Sequence, residues 1–486
     1  MNSRPHHPAP PPIQLLPSPE RALELATVDL LRRRPHLSAA RLLTIGQRVV
    51  LGALAFGTGI GLLFAPAPTK IGLTVAALGC LASASLYELL FCVRGVSWRP
   101  RISHDRLRDA ELPTYTVLVP LYHEAPVVRD LIEALARLDY PAEKLDLKLL
   151  VEANDRETID AVESIPPGHT AELVVVPHGH PKTKPKACNF GLLHARGDYV
   201  VIFDAEDRPE PDQLRKAVRA FREGPADLGC VQARLQYWNR AQNAITRLFT
   251  AEYAQRFDLL LPGLASAAAP IPLGGTSNHF SSSTLRALGS WDPFNVTEDA
   301  DLGLRLTRLG LRTVIIDSTT YEEANSRAGS WIRQRSRWVK GWMQTWIVHM
   351  RQPSRVWREI GARNWMHCQF LLAGTFIPLL INPLLLGLLF VWALGGNEAV
   401  GMPNSVCQAA ALVLAAANLA LIGRYLAALL RRGYGSSAPY ALLAPIYWLL
   451  MSIGAWRALY QLVVCPSYWE KTPHGLAGPA PAAEAA

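Results

Sequence analysis

Three acidic residues that follow a short apolar run are the strongest chemical signal in the sequence. The run Tyr199–Phe203 predicts a buried strand, and two prolines shortly after it prevent the strand from extending. Asp204, Glu206 and Asp207 come directly after the run. Ligands of open α/β sheets bind at the carboxyl ends of strands, and carboxylates this close repel unless a positive charge lies between them. We therefore expect Mg²⁺ or Mn²⁺ here, with phosphate oxygens completing its coordination; the alternative is an acidic turn before the next helix.

Two further stretches carry groups that suit a nucleotide. Tyr122 and Glu124 follow another predicted strand, where the ring could stack on a base and the carboxylate could accept hydrogen bonds from a ribose. Lys182, Lys184 and Lys186 stand at alternate positions and would reduce the charge repulsion of a diphosphate. The alternatives are an ordinary strand–helix loop for the first stretch and a solvated basic loop for the second.

The elements that position these residues alternate between strand-like and helix-like patterns. Strand-like runs occupy 115–120, 147–152, 173–176 and 199–203, with helical patterns at 127–138, 158–164 and 213–222 between and after them. Further strands are predicted at 228–232 and 312–317, and a helix at 241–261. Repeated strand–helix units predict a Rossmann-like α/β domain with a mainly parallel sheet and helices on both faces.

The composition indicates a membrane protein with an excess of basic residues. Half of the 486 residues are hydrophobic, 18% are charged, and the net charge is +9. This excess favours anionic lipid or a phosphorylated substrate over nucleic acid, because many arginines border apolar stretches. The seven cysteines form no CxxC pair and no zinc-binding spacing, so we expect them to be reduced.

Apolar stretches on both sides of the polar middle predict transmembrane helices. Residues 49–94 predict a hairpin whose arginine-rich flanks would be cytoplasmic. The region 368–464 predicts three further crossings, which gives five in total and places the C-terminal tail on the far side from the middle domain. A basic stretch with tryptophans at 350–367 predicts an interfacial helix.

The N-terminal segment predicts little fixed structure before the first crossing. Residues 1–20 are rich in proline and are expected to be disordered, and residues 20–34 predict a basic amphipathic helix on the membrane surface. A long polar lead precedes the first apolar stretch, so we expect no cleavable signal peptide.

Six short motifs occur in a fixed order between the apolar ends. They are VPLYHE at 119–124, EAND at 152–155, KPKACN at 184–189, DAED at 204–207, TED at 297–299 and QRSRW at 334–338. This series resembles the family-2 glycosyltransferases, in particular the membrane-embedded branch that includes cellulose and hyaluronan synthases. The resemblance covers roughly half the chain and implies a GT-A-like catalytic domain inserted between transmembrane helices.

The resemblance implies that the first four motifs bind a nucleotide-sugar donor. Asp155 would contact the uracil or its ribose, although as a bare residue it could cap the helix that follows. Lys186 matches the lysine that the family places before a helix. Asp204 and Glu206 occupy the Asp-x-Asp positions of the family, and either Glu206 or Asp207 would be the second metal ligand. We expect the donor to contact Tyr122, Glu124, Asp155, Lys186, Asp204 and Arg337.

The resemblance implies that the last two motifs bind the acceptor and activate its hydroxyl. In the resemblance, Asp299 is the base that takes the proton of the acceptor hydroxyl during inverting transfer, whereas Thr297 and the acids after it could also simply begin a helix. On a helix, Gln334 shares a face with Arg337 or Trp338, which suit a diphosphate and a sugar ring; an ordinary amphipathic helix is the alternative. We expect the acceptor to contact Gly275, Thr276, Glu298, Gln334 and Trp338.

These expectations describe an inverting, metal-dependent glycosyltransferase in the bacterial inner membrane with a cytoplasmic catalytic domain. The expected reaction transfers sugar from a UDP sugar to an exopolysaccharide that is extruded through the protein. Transfer of a single sugar to a membrane lipid is one alternative, and a transporter or scaffold that only binds nucleotide sugar is another. The expected partners are the donor, a glycan or lipid acceptor and the bilayer, but no nucleic acid; any regulatory or export subunit would be a separate chain.

The expected organisation has six parts. They are a disordered or amphipathic N-terminal segment at 1–48, a transmembrane hairpin at 49–94, the catalytic domain at 112–345, an interfacial helix at 350–367, transmembrane helices at 368–464 and a tail at 465–486.

Overall fold

The computed structural model describes residues 17–99, 106–165, 171–466 and 468. The stretch at 1–20 that was predicted to be disordered lies outside these residues except for its last four, two of which begin a helix. Nearly all of the predicted tail at 465–486 also lies outside them.

One sheet of eight strands forms the centre of the α/β domain in the described residues. The strands β1 to β8 are Tyr115–Leu121, Leu145–Glu152, Ala171–Val176, Tyr199–Ile202, Arg208–Pro209, Leu228–Tyr237, Asn278–Ser281 and Arg312–Glu322.

The order of the strands across the sheet is β3-β2-β1-β4-β7-β6-β8-β5. Strands β1, β2, β3 and β4 run parallel to their neighbours in this half, and β6 and β8 are also parallel. Strand β7 is antiparallel to both β4 and β6, and β5 is antiparallel to β8. The predicted mainly parallel sheet is confirmed, and the carboxyl ends of β1, β2 and β4 therefore meet at one edge.

Sixteen α-helices surround or follow the sheet in the described residues. Helices α1 to α16 are Pro19–Arg33, Ile45–Phe64, Pro66–Val96, Val128–Leu135, Arg156–Glu163, Lys184–Leu193, Gln213–Glu223, Ala244–Ala254, Leu261–Ser266, Ser282–Leu288, Glu298–Arg308, Ala328–His349, Pro353–Cys368, Gly374–Val400, Asn404–Arg431 and Ala444–Val464.

Alternate residues of β1 build the core on the two faces of the sheet. Val117 and Val119 pack in one cluster with residues of α4 and α7, whereas Leu118 packs in another with Cys188 of α6. All three β1 side chains are fully buried, and each such burial stabilises the fold by about 1.5–3 kcal/mol. The sheet is therefore a rigid support for the loops at its carboxyl edge.

The predicted amphipathic helix near the N-terminus is α1, and its apolar side faces protein. Ala22, Ala26 and Leu30 are buried, and the side-chain amide of Asn189 in α6 donates a hydrogen bond to the carbonyl of Ala26 at 2.9 Å. This face is covered by the α/β domain, so it is not available to a membrane surface as the sequence pattern predicted.

Five helical segments among the described residues are long and apolar enough to cross a membrane, which supports a membrane association. They are Ile45–Phe64, Pro66–Val96, Pro353–Val400, Asn404–Arg431 and Gly435–Val464. The third contains α13, a π-helical segment at Gln369–Ala373 and α14, with non-helical backbone at Gly361 and Gly396. The predicted position of 350–367 at the membrane surface stays a prediction.

The C-terminal ends of α3 and α15 lie next to the α/β domain. A β-carbon on Gly95, near the end of α3, would lie 1.8 Å from the carbonyl oxygen of Leu259. Arg432, just after α15, donates to both carboxylate oxygens of Asp258 at 2.6 and 2.9 Å. The α2–α3 and α14–α15 turns meet at the other end of these helices.

Helix α16 contacts α12 of the α/β domain near both of its ends. Near its start, Tyr447 accepts a hydrogen bond from Arg335 of α12 at 3.1 Å. Just beyond its end, the carbonyl of Pro466 accepts from Gln344 of α12 at 2.8 Å. These contacts place the end of α16 beside the α/β domain, and the position of the tail on the far side of the membrane stays a prediction.

The position of the tail can be tested by labelling with a membrane-impermeant maleimide in sealed, oriented vesicles. In a background without reactive native cysteines, Tyr468→Cys should be labelled from the same side as Glu143→Cys in the catalytic domain. Ala67→Cys, in the α2–α3 turn, is the control and should be labelled from the opposite side. Labelling of Tyr468→Cys together with Ala67→Cys would show that α16 crosses the membrane.

The close approach of α3 to the α/β domain predicts how a substitution at Gly95 changes stability. Gly95→Ala should destabilise the protein by about 1–3 kcal/mol, because its β-carbon would overlap the Leu259 carbonyl and force the helices apart. Gly79→Ala, in the same helix with open space around it, is the matched control and should be neutral or slightly stabilising. Thermal unfolding in detergent measures both; equal midpoints for the two variants would contradict the expected clash.

Candidate active site

The carboxyl edge of the sheet opens into a cleft of about 280 Å³ that most of the predicted site residues line. The predicted residues that line it are Tyr122, Glu124, Asp204, Glu206, Gly275, Glu298, Asp299, Gln334, Arg337 and Trp338. The predicted residues that do not line it are Asp155, Lys186, Asp207 and Thr276.

Asp207 braces the acidic turn after β4 from inside the protein. Its Oδ2 accepts a hydrogen bond from the amide of Asp204 at 2.7 Å and another from the hydroxyl of Thr276, which also donates to the carbonyl of Ile202. Burial raises the pKa of Asp207 well above its usual range, and the charges of Asp204 and Glu206 add to this effect. The structure therefore presents Asp204 and Glu206 to the cleft, while Asp207 and Thr276 hold the turn.

The predicted base lies at the start of α11. Asp299 Oδ1 accepts a hydrogen bond from the amide of Ala300 at 2.7 Å, and Oδ2 lies 3.4 Å from the position that a β-carbon on Gly275 would occupy. Burial raises the pKa of Asp299. Gly275 thus leaves open the space in front of this carboxylate, and the elevated pKa suits a group that accepts a proton.

The alternative interpretation of the TED motif as a helix start is confirmed, and the role of Asp299 as the base stays a prediction. Thr297 precedes α11, and Glu298 and Asp299 lie in its first turn, although the Thr297 side chain makes no capping hydrogen bond. Burial raises the pKa of Glu298 to about 8, and the charge of Asp299 contributes to the increase. A helix start therefore fixes the acids while the helix dipole favours their charged forms.

Helix α12 brings the QRSRW motif over the start of α11. Gly341 permits the approach, because a β-carbon there would lie 2.7 Å from the backbone nitrogen of Thr297. Gln334, Arg337 and Trp338 consequently line the cleft. The buried Oε1 of Gln334 has no hydrogen-bond partner among the described residues, so it can accept one from a ligand hydroxyl.

Arg337 interacts electrostatically with both acidic motifs. Burial lowers the pKa of its guanidinium, and the carboxylates of Glu298, Asp204 and Asp299 act in the opposite direction. The arginine therefore lies near acids that the sequence separates by more than ninety residues. This position suits a group that binds a diphosphate between the two motifs.

Only some of the residues that were predicted to contact the nucleotide line the cleft. Tyr122 and Glu124 line the cleft, and the ammonium of Lys182 lies 5.2 Å from the centre of the Tyr122 ring. Asp155 is buried and caps α5, accepting from the amide of Thr158 at 3.3 Å and from the amide of His123 at 2.5 Å. Asp155 thus fixes the loop that carries Tyr122, and the helix-cap alternative for Asp155 is confirmed.

The three lysines have different surroundings. Lys186 is fully buried and binds Glu152 at 2.8 Å, so it does not reach the cleft. Lys184 lines the cleft, contacts Asp204 through an ion pair and donates to the carbonyl of Gly275 at 2.7 Å. The sequence had favoured Lys186 as the cleft lysine, whereas the structure brings Lys184 there.

Several charged residues of the cleft were not predicted. They are Glu152, Glu252, Arg256, Glu322 and Arg335. Arg335 binds both carboxylate oxygens of Glu252 at 2.7 and 2.6 Å, and its guanidinium lies 4.7 Å from the centre of the Trp338 ring. The only sequence signal for this pair was that Arg335 lies inside the QRSRW motif.

The residues present fit a divalent cation that is shared with a ligand. Asp204 and Glu206 both face the cleft, but the described residues contain no cluster of three or more His, Cys, Asp or Glu side chains that could hold a metal. Mg²⁺ and Mn²⁺ prefer oxygen ligands and often share them with a bound phosphate. The protein would thus supply part of the coordination, and a donor diphosphate the rest.

The fold of the α/β domain is GT-A-like. The structure of the mannosyltransferase PcManGT from Pyrobaculum calidifontis in complex with GDP-Man and Mn²⁺ superposes with a TM-score of 0.51 at 21% identity. The match covers 81% of this chain and 98% of that one. This likeness establishes the fold.

The sequence of the same domain is similar to a known family. Residues 113–341 match the model described as glycosyltransferase like family 2, which agrees closely with the predicted domain at 112–345. This part of the chain is therefore similar to the glycosyltransferases of family 2. The resemblance to the cellulose and hyaluronan synthase branch stays a prediction.

Two curated relatives illustrate the range of proteins that share this domain. A beta-monoglucosyldiacylglycerol synthase from Synechocystis is 26% identical over 56% of this chain and 57% of its own length. Glucomannan 4-beta-mannosyltransferase 7 from Arabidopsis thaliana is 27% identical over 48% of this chain and 43% of its own length. The chain spans about half the length of these relatives.

The raised pKa of Glu298 predicts how stability changes with pH. Because folded Glu298 keeps its proton up to about pH 8 and the unfolded chain loses it near 4.5, its stabilising contribution is lost as the pH rises from 4.5 towards 8. Glu298→Gln should therefore gain stability over the wild type across this window, by an amount on the order of 1–3 kcal/mol at pH 8.5.

Thermal unfolding between pH 5.5 and 8.5 in the presence of EDTA measures this difference. Glu143→Gln, at an exposed position of the same domain, is the control and should follow the wild-type curve. Parallel curves for the wild type and Glu298→Gln would contradict the predicted proton uptake.

Proposed function

We propose that the protein is a membrane glycosyltransferase that transfers a sugar from a nucleotide sugar with inversion at the anomeric carbon. The proposal rests on one observation: Asp204, Asp299 and Arg337, from three separate parts of the chain, line the same cleft. A fixed base opposite a bound diphosphate is the arrangement that direct displacement requires.

Each of these groups has a distinct role in the proposed reaction. Asp204 and Glu206 would hold Mg²⁺ or Mn²⁺, which when bound would neutralise charge on the departing nucleoside diphosphate. Arg337 binds the same diphosphate. Asp299 accepts the proton of the acceptor hydroxyl as its oxygen attacks the anomeric carbon, and Trp338 offers a flat surface to a sugar ring.

The donor is proposed to be a UDP sugar, with a GDP sugar as the alternative. Tyr122 and Glu124 suit any base and ribose, and the fold neighbour from Pyrobaculum calidifontis was solved with GDP-Man. A panel of UDP and GDP sugars, with release of the nucleoside diphosphate as the readout, distinguishes them. Absence of release with every donor and both metals would favour a protein that only binds nucleotide sugar.

The acceptor is proposed to be the growing end of an exopolysaccharide, with a membrane lipid as the second candidate. The QRSRW motif and the aromatic residues beside it favour a glycan. Thr375 of α14 and Met451 of α16 also line the cleft, and an apolar border of this kind favours a lipid. The two relatives, a glucomannan mannosyltransferase and a glucosyldiacylglycerol synthase, support one candidate each.

The catalytic domain is proposed to face the bacterial cytoplasm. Arginines 32–34 and 41 precede α2, Arg48 lies in its first turn, and Arg94 and Arg99 lie at or just after the end of α3, on the side of the catalytic domain. An excess of basic residues marks the cytoplasmic ends of transmembrane helices.

Replacing the base predicts a loss of turnover without a loss of donor binding. Asp299→Asn should lower the rate of nucleotide release at least 100-fold, because the amide cannot accept the proton, while leaving the donor Kd within about threefold. Asp160→Asn, at an exposed position in α5, is the control and should retain wild-type activity. Retained turnover in Asp299→Asn would exclude Asp299 as the base.

The length of the product separates the two acceptor classes. With the purified enzyme, the metal and a productive radiolabelled donor, polymer synthesis should yield chains of many sugars. Chromatography before and after mild saponification measures their length and any lipid linkage. A product with one sugar on a lipid would refute polymer synthesis and support the second candidate.

A further inference from the structure

Lys184 lies at the place on Asp204 that a bound cation would occupy. Its ammonium forms an ion pair with Asp204 Oδ1 and donates a hydrogen bond to the carbonyl of Gly275 at 2.7 Å. A β-carbon on Gly275 would in turn lie 3.4 Å from Asp299 Oδ2. The lysine therefore connects the carboxylate proposed as a metal ligand to the segment in front of the proposed base.

The charges of the cleft explain why a lysine occupies this place. The carboxylates that line the cleft are Glu124, Glu152, Asp204, Glu206, Glu252, Glu298, Asp299 and Glu322. The ammonium of Lys184 contacts Asp204 and the carbonyl of Gly275, so it provides a positive charge among these acids. A permanent positive charge at Asp204 reduces the repulsion among these acids when no other cation is bound.

The position of Lys184 at the start of its helix offers the side chain a second binding partner. Lys184 is the first residue of α6, and no side chain caps the amino end of this helix. The dipole and free amides at such an end favour a phosphate. A diphosphate bound beside Asp204 would thus lie within reach of an ammonium on a flexible four-carbon chain.

We infer that Lys184 is the counter-ion of Asp204 in the empty enzyme and that it and a divalent cation exclude each other from this carboxylate. Binding of a nucleoside diphosphate gives Lys184 a new anionic partner and frees Asp204 for the metal. Metal and nucleotide therefore bind cooperatively, and the empty enzyme binds metal weakly. This inference rests on the proposed function, because it takes Asp204 to be a metal ligand.

The change in metal affinity when Lys184 is replaced distinguishes the inferred role of this residue from a purely structural one. If Lys184 only stabilised the fold, its removal would destabilise the protein and would not improve metal binding. If Lys184 competes with the metal, its removal should tighten metal binding to the empty protein. Mn²⁺ is a suitable probe, because the EPR signal of free Mn²⁺ gives its Kd without any turnover.

The main comparison uses the full-length protein in detergent without nucleotide. Lys184→Met should bind Mn²⁺ at least tenfold more tightly than the wild type. Lys182→Met is the matched control: it removes one positive charge from the same cleft, but Lys182 binds Asn154 at 3.0 Å and does not contact Asp204. Its Mn²⁺ affinity should change less than threefold, and equal tightening in both variants would overturn the inference.

A second substitution tests whether Asp204 is the residue that binds the metal. Adding Asp204→Ala to Lys184→Met should abolish the gain in Mn²⁺ affinity. Persistence of the gain would show that the metal binds elsewhere and would also overturn the inference. If Lys184→Met has a lowered unfolding midpoint, Lys184→Gln replaces it, because the glutamine amide can still donate to the Gly275 carbonyl.

Cooperativity with the nucleotide provides an independent readout. With UDP and with GDP as probes, and after correction for the Mn²⁺–nucleotide complex in solution, nucleotide should increase wild-type Mn²⁺ affinity at least tenfold more than it increases that of Lys184→Met. Equal coupling in the two proteins would overturn the inference. Nucleotide release by the wild-type enzyme, measured separately, tests the proposed function, which can hold even if Lys184 has no such role.

Discussion

Repulsion among carboxylates in one cleft is the constraint on which the rest of the site depends. Asp204, Glu206, Glu298 and Asp299 come from two motifs that lie far apart in the sequence, and the fold brings them together. Bringing like charges out of water is unfavourable unless cations or proton uptake compensate. The cleft contains both forms of compensation: basic residues from α6 and α12 line it, and the pKa values of buried acids are raised.

Close backbone contacts at glycines fix the geometry in which the charges of the cleft can balance. Gly341 lets α12 lie against Thr297, and Gly95 lets α3 lie against the catalytic domain. A further glycine, Gly454, lets α16 approach the Arg335 segment of α12. These three contacts join the acidic motifs, the QRSRW helix and the apolar helices into one unit, so the cleft and the membrane region share a common framework.

Local patterns in the sequence were sufficient to predict the sheet and much of the cleft. An apolar run that ends in acids specifies a buried strand and its functional end, and both features lie within about ten residues. Strand β7 was not predicted, because Asn278–Ser281 is polar and becomes a strand only by pairing between β4 and β6. The burial of His279, which hydrogen-bonds to the Tyr115 hydroxyl at 2.7 Å, depends on the same long-range pairing.

The residues that were assigned incorrectly share a physical cause. Lys184 and Lys186 are two positions apart at the start of one helix, where side chains two apart point in different directions. Only the position of Glu152 reveals which lysine turns inward. Asp207 and Thr276 bond across two distant loops, and no local pattern records such a contact. Asp155 has a capping role that the sequence did allow, and the geometry selects it.

The cleft has a border formed by the apolar helices themselves. Thr375 belongs to α14 and Met451 to α16, and both line the space that also contains Trp338. Helices of this kind adjust their tilt to the thickness of the surrounding bilayer. A change in tilt of α14 or α16 would alter the width of the cleft at that border. If α14 and α16 cross a bilayer, its lipid composition would influence the width of the cleft beside Trp338, in addition to any residue of the α/β domain.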